Sequence, residues 1–130
     1  MKILIGYDGS RESRRALEVT KQQAKAFSAE VCVFTTVEGG QHAVRQVYEK
    51  AKAELHLAKN EIGSAGIRCE AKLSATGLEP GEDIVQFTKD QSIDMIVIGI
   101  SKRSKVGKFV FGSNAQFVIL EASCPVLTVK

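Results

Sequence analysis

Two stretches, KILIGY at residues 2–7 and DMIVIGI at 94–100, are apolar at consecutive positions rather than at alternate ones. A strand with that pattern must be covered on both faces, which is the condition of a parallel sheet held between helices. Parallel strands also need a crossover between each pair, and the intervening sequence supplies them. Over 10–27, Ala16, Thr20, Ala24 and Phe27 recur at helical spacing, with Ser10 placed to cap. Over 41–65, Val44, Val47, Ala51, Leu55, Ala58, Ile62 and Ala65 step by three or four, and Arg45, Glu49, Lys52 and Lys59 occupy the opposite face. Gly66 follows as a helix stop. Pro80 opens a shorter helix over 80–90, and Ser113 opens another over 113–122.

EVCVFTTV (30–37), IRCEAKL (67–73) and PVLTVK (125–130) complete the strands, and the alternation in IRCEAKL suits a place near the sheet edge. The expected fold is therefore α/β: a doubly wound three-layer sandwich, one domain over 1–130, with strands 2–7 and 94–99 central. In such sheets ligands bind beyond the carboxyl ends of the strands, where the strand order reverses. With the first and fourth strands as neighbours, YDGS (7–10) and GISK (99–102) border one crevice.

Composition narrows the function. The formal charge, 18 minus 15 or +3, is too small to point to a nucleic-acid partner. There is no run of 18 apolar residues and no leader-like segment, so neither a membrane span nor a signal peptide is expected. Cys32, Cys69 and Cys124 are odd in number and lack C-x-x-C spacing, which suits reduced, mostly buried thiols in a cytoplasmic protein. His42 and His56 lack companions at metal-ligand spacing, so no metal site is expected.

The crevice loop is GISKRSKVGKFVFGSNAQFV, residues 99–118. Gly112 and Ser113 at a helix start offer backbone N–H groups and the positive end of the helix dipole, which suits phosphate; the same serine also suits plain N-capping. Gly99 and Gly107 permit close approach to a ligand or positive φ. Asp8 can accept hydrogen bonds from a ribose hydroxyl or a base amino group, or cap the following helix. Gly77 and Pro80 suit turn chemistry, and Glu82 and Asp83 suit first-turn helix charges. Neither G-x-x-x-x-G-K-[ST] nor G-x-G-x-x-G occurs, and no catalytic residue is assigned.

Taken together, ILIGYDGSRESRRAL, TGLEPGEDIV and DMIVIGISKRSKVGKFVFGSNAQFVILEASCPVLTVK resemble the universal stress protein family along essentially the whole chain. The family's nucleotide-binding pattern is G-x2-G-x9-G-[ST]. Gly99 supplies its first glycine and Gly112 with Ser113 its last pair, while Lys102 stands in the second glycine's place. The resemblance implies the sheet order 3-2-1-4-5 of a Rossmann-like, adenine nucleotide alpha hydrolase-like fold. It implies ATP or another adenine nucleotide as ligand, with magnesium accompanying it. Asp8 would meet the adenine or ribose and Val37 would pack beside the adenine. The loop carrying Gly99, Lys102, Arg103, Gly112, Ser113 and Asn114 would hold the phosphates. It also implies a homodimer through the last strand, 125–129. Three functions remain in competition: a nucleotide-binding stress-response protein, a dimeric interaction module that binds no nucleotide, and a slow nucleotide hydrolase.

Overall fold

The chain runs β1 (Lys2–Gly6), α1 (Arg11–Phe27), β2 (Glu30–Thr36), a 3-10 turn (Gly40–His42), α2 (Arg45–Ser64), β3 (Cys69–Ser74), α3 (Pro80–Gln91), β4 (Met95–Gly99), α4 (Ser113–Glu121) and β5 (Val126–Val129). These elements come from a computed structural model that describes residues 1–101 and 112–130. The strands form one parallel sheet in the order β3-β2-β1-β4-β5. β1 is central, β4 lies beside it, and β3 is an edge strand, as the sequence patterns require.

Strand parity divides the interior in two. Ile3, Ile5, Val31, Val33 and Val97 pack under α1 and α2 with Ala16, Leu17, Leu55, Ala58 and Ile62. Leu4, Phe34, Ile96 and Ile98 pack under α3 and α4 with Ile84, Val85 and Val118. The register pairs Ile3 with Val31 and Met95, and Leu4 with Cys32 and Ile96, so like-facing residues meet across the sheet. Consecutive apolar residues in the central strands thus serve both cores.

Helix caps follow the sequence with adjustments. Ser10 caps α1, its side chain accepting from the Ser13 N–H at 3.2 Å. α1 closes on Ser28 at φ 51°, a left-handed position filled without glycine. Pro80 is the first residue of α3. The long helix starts at Arg45 rather than 41, after the 3-10 turn. Its apolar stripe is only half used: Leu55, Ala58 and Ile62 are buried, but Val44 and Val47 are exposed. The cause is length, since the 20 residues of α2 span about 30 Å at 1.5 Å each. The seven-residue β2 beneath it covers only about 23 Å. The first turns of α2 therefore overhang the carboxyl ends of the strands. Phe27, expected on the inner face of α1, is its last residue and is exposed.

Cys32 is buried, whereas Cys69 and Cys124 are only partly covered, and all three are free. Burial pushes the Cys32 thiol up to about 12 and the Cys69 thiol up to about 11, so both are protonated and unreactive at neutral pH. Among the described residues no helix is long and apolar enough to cross a membrane.

Candidate functional site

The site is built where the chain leaves β1. Backbone pairing continues one residue past the strand, with the Tyr7 N–H donating to the Phe34 carbonyl at 2.8 Å. The Thr35 hydroxyl donates to the Tyr7 carbonyl at 2.7 Å. These bonds fix the point at which Asp8 departs from the sheet. Gly9, at φ +78°, then turns the chain into α1.

Asp8 is fastened by the turn that follows it: its Oδ1 accepts the Ser10 N–H at 2.9 Å. Partial burial opposes ionisation of this carboxyl. The hydrogen bonds given by the Ser10 side chain and N–H outweigh that cost and hold it below the ordinary aspartate range. A depressed carboxyl stabilises the fold fully above its unfolded value, about pH 4, and ceases to do so as the pH falls through the folded value. Asp8→Asn is therefore expected to be less stable than the native chain at pH 7. The difference should close as the pH falls well below 4. Chemical denaturation across a pH series checks this, and a gap that persists at low pH would refute it.

Two cavities flank Asp8. The first, of about 220 Å³, has its floor at the carboxyl ends of β1 and β4, at Gly6, Ile98 and Gly99. Phe34, Ile84 and Val118 form its deep apolar side, Ser10 and Ser13 one rim, and Pro80, Asn114 and Ala115 the other. The second, of about 320 Å³, lies between the end of β2 and the overhanging start of α2. It is lined by Val37, Glu38, Val47, Lys50 and Glu54, and it shares Tyr7, Asp8 and Thr36 with the first.

The structure brings Asp8, Gly99 and Asn114 together in the first cavity and sets Val37, which is buried, against the second. Gly112 and Ser113 lie one turn ahead of Ala115, at the start of α4. The N-cap of α4 is Gly112 and not Ser113: Gly112 is extended and its carbonyl accepts the Gln116 N–H at 3.0 Å. Ser113 is the first helical residue, and no side chain among the described residues caps α4. Lys102, Arg103, Lys105, Gly107 and Lys108 lie outside the described residues.

Gly99 has a different role from the one its spacing suggests. Its φ is not positive, and a Cβ on it would lie 2.5 Å from the Glu12 carbonyl carbon and 2.8 Å from the Ser13 nitrogen. The close approach is to the backbone of α1. Gly81 is similar, since a Cβ there would sit 2.7 Å from the Asn114 carbonyl oxygen. The Gly81 N–H donates to Asn114 Oδ1 at 2.9 Å, locking the starts of α3 and α4 together. With that oxygen spent, the two amide N–H donors of Asn114 have no partner among the described residues.

Three participants escape the sequence patterns. Asp83 is buried at 4% exposure and accepts a hydrogen bond from the Thr36 hydroxyl at 3.0 Å, so it does more than charge a helix start. Strand parity could have found Thr36, which lies on the same side of β2 as Phe34. Glu54 packs its carboxylate over Gly9, where any Cβ would overlap it. Burial and the Glu54 carboxylate together raise the Tyr7 phenol, which stays neutral. Nothing in local spacing links Glu54 to residue 9.

The cleft is chemically polar along its length. Its α4 end offers helix N–H groups that no described side chain caps and the Asn114 amide, all donors. Its β2 end offers the carboxylates of Asp8, Glu38 and Glu54, which only accept, with the Lys50 ammonium as the one cation among the described lining residues. No group of three histidine, cysteine or carboxylate side chains among the described residues is arranged to hold a metal ion.

Comparison with known proteins gives a consistent result. The family model described as "Universal stress protein family" matches residues 1–130. A universal stress protein of Thermus aquaticus is 34% identical over 134 residues, covering 98% of this chain and 97% of its own. The structure of a universal stress protein from Archaeoglobus fulgidus superposes with a TM-score of 0.89 at 36% identity, covering 100% of this chain and 98% of that one. A structure of the universal stress protein from the same organism in complex with dAMP superposes with a TM-score of 0.85 at 32% identity, with the same coverage.

Proposed function

The chain belongs to the universal stress protein family, and from that premise we propose that its cleft binds an adenine nucleotide, with ATP the preferred ligand. The observation that carries the reading is the opposed chemistry of the two ends. A nucleotide has an anionic end that needs donors and a nucleoside end rich in hydroxyl and amino donors that need acceptors. The N–H groups at the start of α4 and the Asn114 amide suit the phosphates. Asp8, next to Thr36, suits the nucleoside, with Val37 beside the base. The family relative bound to dAMP supports this orientation-independent core of the reading. Four basic residues between Gly99 and Gly112 (Lys102, Arg103, Lys105 and Lys108) favour a polyphosphate over a monophosphate. Magnesium would arrive with the nucleotide rather than on a protein site.

The biological setting we propose is a cytoplasmic stress response in which the nucleotide biases contacts between proteins. A second copy of the chain is the proposed first partner, through the outer edge of β5. Two features support it. β5 is an edge strand, and Phe117, Ile119 and Leu120 of α4 expose apolar surface.

Isothermal titration of ATP into nucleotide-stripped protein, with and without magnesium, tests the reading. Saturable binding is expected, weakened about tenfold or more in Asp8→Ala, because hydrogen bonds to a charged group contribute about 1.5–3 kcal/mol. Unchanged affinity in Asp8→Ala would remove the proposed site. Absence of binding by a chain that sediments as a dimer would favour the interaction module instead.

A further inference from the structure

The second hydroxyl of the Thr35–Thr36 pair is placed for recognition. Thr35 spends its proton on the Tyr7 carbonyl and serves the fold. Thr36 spends its proton on Asp83 Oδ2 at 3.0 Å, and Thr36 lines both cavities beside Asp8. A threonine hydroxyl has one proton and two lone pairs. With the proton committed to a carboxylate, the oxygen can only accept from anything in the cleft.

Asp83 is an unusual residue for its surroundings. It is buried in the first turn of α3, facing Thr36 at the end of β2. Burying a carboxylate is costly, and an apolar side chain of similar size would commonly pack with equal or greater stability. The start of α3 offsets part of that cost through the helix dipole. What the carboxylate achieves beyond that is to fix the direction of one hydroxyl bond, at the junction of the two cavities.

We propose that Asp83 is a positioning residue that makes Thr36 an acceptor-only reader of the nucleoside, so that the cleft selects a ligand presenting a hydrogen-bond donor at that point. Asp8 and Glu54 are acceptors that line the second cavity with Thr36, so a ligand acceptor placed among these three would find no donor in them. This inference rests on the nucleotide reading and deepens it. The donor is either the ribose 2′-hydroxyl or the exocyclic amine of the base, and nucleotide analogues separate the two.

The experiment measures the affinities of ATP, dATP and ITP for the native chain, Thr36→Val, Thr36→Ser and Asp83→Asn. dATP lacks the 2′-hydroxyl, and ITP replaces the amine by a carbonyl. In the native chain at least one analogue is expected to bind about 3- to 10-fold more weakly than ATP, the range of one net hydrogen bond. That ratio should fall to about 1 in Thr36→Val, persist in Thr36→Ser and shrink in Asp83→Asn, which retains the shape of the side chain without its charge. A ratio of affinities is insensitive to a general loss of stability, so a merely structural role for Asp83 would leave it unchanged. ATP binding with both ratios near 1, or a ratio unmoved by Thr36→Val, overturns this inference and leaves the nucleotide site standing. No ATP binding at all overturns both.

Discussion

Phe34→Ala is expected to produce the largest loss of stability of any single change near the cleft, about 3–5 kcal/mol, lowering Tm by roughly 10–20 °C. Phe34 is 1% exposed, its ring lies 4.8 Å from that of Phe87, and it forms part of the deep side of the first cavity. The loss has two parts, the transfer of a large apolar side chain to water and a void that close-packed neighbours cannot fill. On one side of Phe34 is the sheet, whose positions are fixed by the ladder. On the other are Ile84 and Val118, held by α3 and α4. Thermal unfolding followed by circular dichroism checks the size of the effect. A shift of only a few degrees would mean that α3 and α4 slide inward to close the gap.

Gly99→Ala is expected to cost about 1–3 kcal/mol, the usual range of overpacking changes, and to do so with no nucleotide present. The added methyl would meet the backbone of Glu12 and Ser13, which has no rotamer to change. α1 would have to lift from the sheet, moving Ser10 and Ser13 with it, and these side chains border the first cavity. Thermal unfolding of the ligand-free variant separates this from a ligand-contact role. Native stability combined with lost ATP binding would return Gly99 to the phosphate loop alone.

These two residues also show how far the sequence could be read. Phe34 was legible, because EVCVFTTV is a strand and its neighbours fix which face each residue takes. The sheet order followed from the family resemblance, and the centrality of β1 from its two-faced apolarity. Gly99 was legible as a position of close approach, with a ligand expected as the neighbour. What crowds it was not, because Glu12 and Ser13 are distant in sequence and come near only when α1 docks. Asp83 was legible only in part, for a related reason. An acidic residue in a first helical turn satisfies the helix dipole by itself, so nothing in 80–90 reveals that Thr36, 47 residues earlier, donates to it. The stripe from Val44 to Ala65 was legible as one apolar face, but periodicity does not report how much sheet lies under it.

The separation of the interior by strand parity has a consequence for how this protein can change. Leu55, Ala58 and Ile62 pack only with the α1–α2 side, whereas Phe34, Ile84, Ile98 and Val118 belong to the other. Substitutions on opposite sides of the sheet share few partners, and effects of such separated sites usually add. Stability can accordingly be raised or spent beneath α1 and α2 while the deep wall of the cleft keeps its shape. For that apolar wall the sheet acts as a firewall, while the rim side chains carried at the starts of α1 and α2 stay on the recognition side.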